Sequence, residues 1–210
     1  MDLTSEHFDL AEELMEYIKK GDGTYFINSG DTKCDIISVT ASIVRDNDGT
    51  VYFASSDEED GMMQFYADLN FIFNDESKGA IQISFSPISV MTTNIKAVKL
   101  NDEDELIDTL REVKSELKHS NTFTSENLFM WSKCLANYIS SGSGTHNPNF
   151  VDSTLGMTAV YVKWGDINTL FNIGDDDSLL YYCQVTYIST DGTGGSVVFQ
   201  AMPYQISFFN

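Results

Sequence analysis

Positive charge is what this sequence has least of. Against 32 aspartates and glutamates stand 12 lysines and arginines, for a formal net charge of -20. A surface of that sign repels phosphate backbones and anionic headgroups, so neither nucleic acid nor a membrane is expected as a partner. Cysteine is also scarce. Cys34, Cys134 and Cys183 are odd in number and far apart, which excludes a disulfide framework and a CxxC pair and leaves buried thiols packing as small hydrophobes as the expectation. His7, His119 and His146 share no metal-ligand spacing, so no zinc site is expected. No apolar run approaches the roughly 18 residues that a membrane span needs. The opening MDLTSEHFDLAEELM lacks the basic start and apolar core of a secretory signal, and a cytoplasmic location is the expectation.

Chemical signatures are missing too. No GxSxG, P-loop or GxGxxG occurs, and no nucleophile and base can be placed together as a hydrolase requires. The acidic clusters 57–60, 102–105 and 175–177 do not follow the EF-hand pattern and read as helix caps and solvated turns. Gly192, Gly194 and Gly195 lie between strand-like flanks, as in a hairpin, whereas a phosphate cradle would feed a helix.

What is present is a chain of 210 residues, read as one domain spanning 1–210 with no internal repeat. Residues 6–19 place Phe8, Leu10, Leu14, Met15 and Ile18 at helical spacing, with Gly21 to end the helix. Strands are expected over 24–30 and over 36–44, where alternation puts Ile37, Val39, Ala41 and Ile43 on one face and Ser38, Thr40, Ser42 and Val44 on the other. Asp46-Asn47-Asp48-Gly49 predicts a hairpin returning through 50–56. Residues 60–70 read as a helix, with Met62, Phe65, Tyr66 and Leu69 on one face. A strand over 79–87 is expected to stop at Pro87, and 89–100 alternates again. Helices are predicted over 106–118 and 125–139, a mobile Ser/Gly-rich loop over 140–149, a strand over 157–164, and a long C-terminal hairpin from 179 to 210. The fold class expected is α+β.

The order helix, strand, hairpin, helix, strand, together with DNDGTVYFASS (46–56), resembles the pyridoxamine 5'-phosphate oxidase-like FMN-binding split barrels. In that family a similar phrase opens the third strand. The likeness covers roughly residues 6–110, with 157–171 similar to a late barrel strand. It implies a split antiparallel β-barrel with flanking helices, a homodimer with flavin at the interface, and an FMN-dependent oxidoreductase whose hydride or electron transfer belongs to the cofactor. Ser38, Thr40, Ser55, Ser56 and Gln64 are the implied cofactor contacts. Ser38 or Thr40 stands where the family has an arginine, and Asp57 to Asp60 stand where it has a cation. The alternative is a non-catalytic split-barrel relative that serves as a binding or interaction module. Trp131, Trp164, Tyr161, Tyr181 and Tyr182 either line a planar ligand or pack the core, and core packing is the expected role.

Overall fold

The computed structural model describes residues 5–28, 30–55, 63–94, 125–148, 157–165, 180–189 and 193–209. Among the described residues two helices, α1 (Ser5–Ile18) and α2 (Ser125–Ile139), accompany nine strands. These are β1 (Gly23–Phe26), β2 (Ile36–Ile43), β3 (Ala54–Ser55), β4 (Met63–Phe73), β5 (Lys78–Asn94), β6 (Gly144–His146), β7 (Met157–Gly165), β8 (Tyr181–Ser189) and β9 (Thr193–Phe209). Eight of them form a curled antiparallel half-barrel sheet in the order β1-β2-β4-β5-β9-β8-β7-β6, and β3 pairs with β4 off this path.

That order is a palindrome of two repeats. Helix α1 followed by β1, β2, β4 and β5 is matched by α2 followed by β6, β7, β8 and β9, and the two halves meet along β5 and β9. The registers agree residue by residue. Gly23↔Ala41 in the first half corresponds to Gly144↔Val162 in the second, Val39↔Phe71 to Val160↔Tyr187, and Phe71↔Gly79 to Tyr187↔Gly195. The seam obeys the same pseudo-twofold: Lys78↔Phe209 mirrors Thr93↔Gly194. Its two register shifts, one beside Ile83↔Pro203 and one beside Pro87↔Phe199, are also mirror images. A proline has no N–H to give a ladder, and a bulge is where that loss is tolerated. Pro87 therefore does not stop β5, which runs on to Asn94. The absence of a repeat expected from the sequence is corrected here, because sequence identity survives mainly where geometry demands it: Tyr-Ile-x-x-Gly-x-Gly-Thr at 17–24 and at 138–145, and the two prolines.

Two further expectations change. Of residues 60–70, expected as a helix, those described from Met63 onward belong to β4, whose burial alternates strictly from Phe65 to Phe71. Phe65, Ala67, Leu69 and Phe71 are buried, and the period of two outweighs the i, i+3 coincidence of Phe65, Tyr66 and Leu69. The turn at 46–49 forms, with Gly49 N donating to Asp46 O at 2.9 Å and Asp48 accepting from Thr50 N at 3.0 Å. Its hairpin ends almost at once, in the bridge Arg45↔Val51, and the strand beside β2 is β4. The helix expected over 106–118 lies outside the described residues. The strand at 79–87, helix α1, helix α2, strand 157–164 and the C-terminal hairpin β8–β9 form as expected.

One face of the sheet is covered by the helices and holds the core. Leu10, Ala11, Leu14, Met15 and Ile18 of α1 and Leu135, Ala136 and Ile139 of α2 are buried against it. At the centre Phe65 stacks on Phe85 at 4.6 Å and meets Phe199 edge-on at 5.4 Å. The helices end in a clasp across the pseudo-dyad. Asp22 N donates to Ser140 O at 2.8 Å, and its mirror image, Ser143 N, donates to Lys19 O at 2.9 Å. Gly21 (φ +95) and Gly142 (φ +81) face each other so closely that a Cβ on Gly142 would lie 2.4 Å from Lys20 O. Only glycine fits both the left-handed φ and the approach. The segment 140–149, expected as a loop, carries this clasp and β6.

Candidate functional site

Three of the site residues expected from the sequence, Ser38, Thr40 and Gln64, lie on the other face of the sheet, in two separate places. Ser38 pairs with Phe26 and Ile72, and Thr40 pairs with Thr24 and Asn70, with the Thr24 and Thr40 hydroxyls 3.0 Å apart. Gln64 pairs with Ala54 and accepts from Tyr66 OH at 3.1 Å; Ser55 pairs with Met63. The stretch of β4 from Asn70 back to Gln64 spans about 20 Å at strand rise. Ser38 and Thr40 are thus brought together, Gln64 is far from them, and Ser55 is in register with Met63 and not with Gln64. Ser56 and the cluster 57–60 lie outside the described residues.

The aromatic set is likewise divided by the sheet. Trp164 and Tyr181 point to the helix-covered side, where Trp164 meets Phe85 edge-on at 6.0 Å, while Tyr161 and Tyr182 occupy the opposite side. Core packing accounts for Trp164 and Tyr181. The Trp131 side chain is outside the described residues.

What the sequence did not single out is the open face itself, the side away from the helices. Successive rows cross the first repeat there: Phe26–Ser38–Ile72–Lys78, then Thr24–Thr40–Asn70–Ala80, then Ser42–Asp68–Gln82. Gln82 Nε2 donates to Asp68 Oδ1 at 2.8 Å. Toward the seam the face becomes aromatic. The Tyr66 and Tyr204 rings lie 5.7 Å apart, and Tyr204, the residue squeezed out at the β9 bulge, is 59% exposed. Met202, Tyr52 and Ile88, the bulged residue of β5, are exposed as well. The Tyr66 phenol is raised above its ordinary pKa by burial, with Tyr204 and Tyr52 adding to the shift, which marks the three rings as neighbours. Alternation in β4 and the proline-marked bulges were the signals in the sequence that could have found this surface.

In the second repeat several of the equivalent positions are covered, although Thr145 and Lys163, which match Thr24 and Ser42, are exposed. Tyr182, which matches Tyr66, is 1% exposed, and Thr186, which matches Asn70, is 4% exposed. Ala159, Leu180, Ile188 and Val198 join them as a buried apolar group outside the main core, with Gln184 Nε2 donating to Ser196 Oγ at 2.8 Å.

Cys34, Cys183 and His146 serve the packing of the fold. Cys183 is buried, and burial pushes its thiol well above the ordinary value; Cys34 is half-buried and pushed up to about 11 by burial and then by Glu13, which accepts from Cys34 N at 3.2 Å. His146 is placed by the repeat: its Nε2–H donates to Gly142 O at 2.8 Å, as Tyr25 OH donates to Gly21 O at 2.7 Å. Among the described residues no group of three His, Cys, Asp or Glu side chains is arranged to hold a metal ion, and no helix is long and apolar enough to cross a membrane.

No protein-family model, curated protein or solved structure matches the chain.

Proposed function

We propose that the protein is a non-catalytic binding module whose contact surface is the open sheet face of the first repeat. One observation supports this above the rest: Asn70 is exposed and Tyr66 half-buried on this face, whereas their equivalents in the second repeat, Thr186 and Tyr182, are buried. A sheet face carrying exposed Tyr204, Tyr52 and Met202 is a surface of the kind that partners cover. The polar rows beside it supply hydrogen-bonding groups for register, as the rim of an interface does. The test is partner retention by open-face variants. Capture by the wild type should be lost in a Tyr204→Ser, Met202→Ser double variant and kept in Glu12→Gln, which changes the helix side. Equal capture by all three sinks the reading.

The second reading is the FMN-dependent oxidoreductase with a split barrel and a cofactor at a homodimer interface. It rests on the resemblance of residues 46–56. Its experiment is a titration with FMN. Retained yellow colour supports it; a colourless protein whose FMN fluorescence is unquenched removes it.

A further inference from the structure

We propose that β1 is a self-pairing edge, through which two copies of the chain join their sheets antiparallel about a twofold axis at Phe26. This contact uses the rim of the sheet and stands apart from the binding-module reading of its open face. The first observation is a row of unused backbone groups. Among the described residues β1 and β6 are the two edges of the sheet. Ile27 N donates to Ile37 O at 2.9 Å, so the alternation of an antiparallel ladder turns the backbone groups of Tyr25 and Ile27 toward β2 and those of Thr24 and Phe26 outward. Thr24, Phe26 and Asn28 are exposed, Phe26 to 86%. What such an edge accepts is another extended strand.

The second observation is the contrast with the equivalent edge. Exposed edges are ordinarily guarded by charge or proline. The pseudo-twofold that matches Gly23↔Ala41 with Gly144↔Val162 puts Asn147 and Pro148 where the first repeat has Phe26 and Ile27. Pro148 has no N–H with which to repeat the bond of Ile27 to Ile37, and β6 stops at His146. One edge is blunted and polar. The other, Gly23–Phe26, carries neither charge nor proline and ends on its most exposed phenylalanine.

The third observation names the occupant. Pairing β1 antiparallel with its own copy about Phe26 sets Phe26 against Phe26, Tyr25 against Ile27 and Thr24 against Asn28. Aromatic meets aromatic, apolar meets apolar and polar meets polar, and no like charges stand opposite one another in a protein of net charge -20. A twofold contact requires a strand that complements itself in this way.

The test is sedimentation equilibrium of the full chain over a dilution series, with a dimer that dissociates on dilution as the expected result. Phe26→Asp, which sets two carboxylates face to face at the axis, should raise the dissociation constant at least about tenfold, and Phe26→Lys should do the same. An equimolar mixture of the two variants should regain the dimer, because each then meets the opposite charge. Phe26→Cys should form a disulfide across the axis on mild oxidation, since the Cα separation of about 5.5 Å in a hydrogen-bonded antiparallel pair lies within disulfide reach. Asn147→Cys, on the blunted edge, should not. Phe26 is 86% exposed, so its replacement removes little packing, and thermal melts check that the variants fold. A monomer at every concentration overturns the proposal. So does a dimer that Phe26→Asp leaves intact, or one that Tyr204→Ser on the open face weakens as much, because the contact then lies elsewhere.

Discussion

Asn70 and Thr186 occupy the same place in the two repeats, one exposed and the other 4% exposed. Around Asn70 the face is built from Thr24, Thr40, Ser42, Asp68 and Gln82; around Thr186 it is built from Ala159, Tyr182, Ile188 and Val198. The helix-covered side shows no such divergence. Val39 and Val160, Phe71 and Tyr187, Leu69 and Val185 are all buried. Duplication fixed the inner face through packing, which penalises every change of volume, and left the outer face free to follow whatever lies against it. The lesson is that the two sides of one sheet answer to different constraints, and function is to be sought on the side where the repeats disagree.

The largest effect of a single substitution is expected at the clasp, where the two repeats meet most closely. Gly142→Ala places a Cβ 2.4 Å from Lys20 O at φ +81, whereas Gly49→Ala has φ +83 with nothing within 4 Å. The first should cost about 4 kcal/mol in urea unfolding and the second about 1 kcal/mol, the difference isolating close approach from backbone strain. Next comes the comparison of faces. Thr186→Asp buries a charge and should cost about 3 kcal/mol, while Asn70→Asp should stay within about 0.5 kcal/mol; equal effects would mean that the second repeat's face is not covered in solution.

A pH measurement sharpens the comparison further. Tyr181 stands where the first repeat has Phe65, and its phenol is pushed up to about 12 by burial, then by Glu12 and Glu16. The folded value lies above the unfolded value of 10.0, so its neutral form is fully compatible with folding below pH 10. Stability is then lost as pH rises from there through about 12. Tyr181→Phe, which installs the first repeat's ring type, should flatten that alkaline limb in a stability-versus-pH series. The smallest effect belongs to the paired ring-to-carbonyl bonds. His146→Phe should lose about 1 kcal/mol by leaving Gly142 O without its donor, and His146→Tyr, which copies the phenol of Tyr25, should recover most of it.

Local geometry was legible in the sequence wherever one period or one special residue decided it. Helix α1, Gly21 at its end, the alternation of β2, the turn at 46–49 and the β8–β9 hairpin all follow from such signals. Residues 63–73 misled because Phe65, Tyr66 and Leu69 satisfy a helical spacing by chance; the decisive term is the long-range pairing with β2 and β5, which no local window contains. Pro87 misled for the same reason, since its place in a bulge depends on a partner strand far along the chain. The repeat was hidden because most positions tolerate any residue of suitable size. Identity persists at Gly21 and Gly142, where a Cβ would meet backbone of the opposite repeat, and at the bulge prolines. The candidate surface was least legible, because exposure of a sheet face is a property of what packs on it.

The seam between β5 and β9 also fixes an order of events in time. Lys78 pairs with Phe209, so a chain emerging from the ribosome completes β5 long before its partner exists. Until Thr193–Phe209 has emerged, β5 is an unpaired edge with Ile81, Ile83 and Phe85 awaiting cover, a template open to any other extended segment. Pairing of such long sequence separation closes slowly. Pro87 then has a second consequence: an edge strand interrupted by a residue that cannot donate, and bent by a bulge, is a poor template for strangers while it waits for β9.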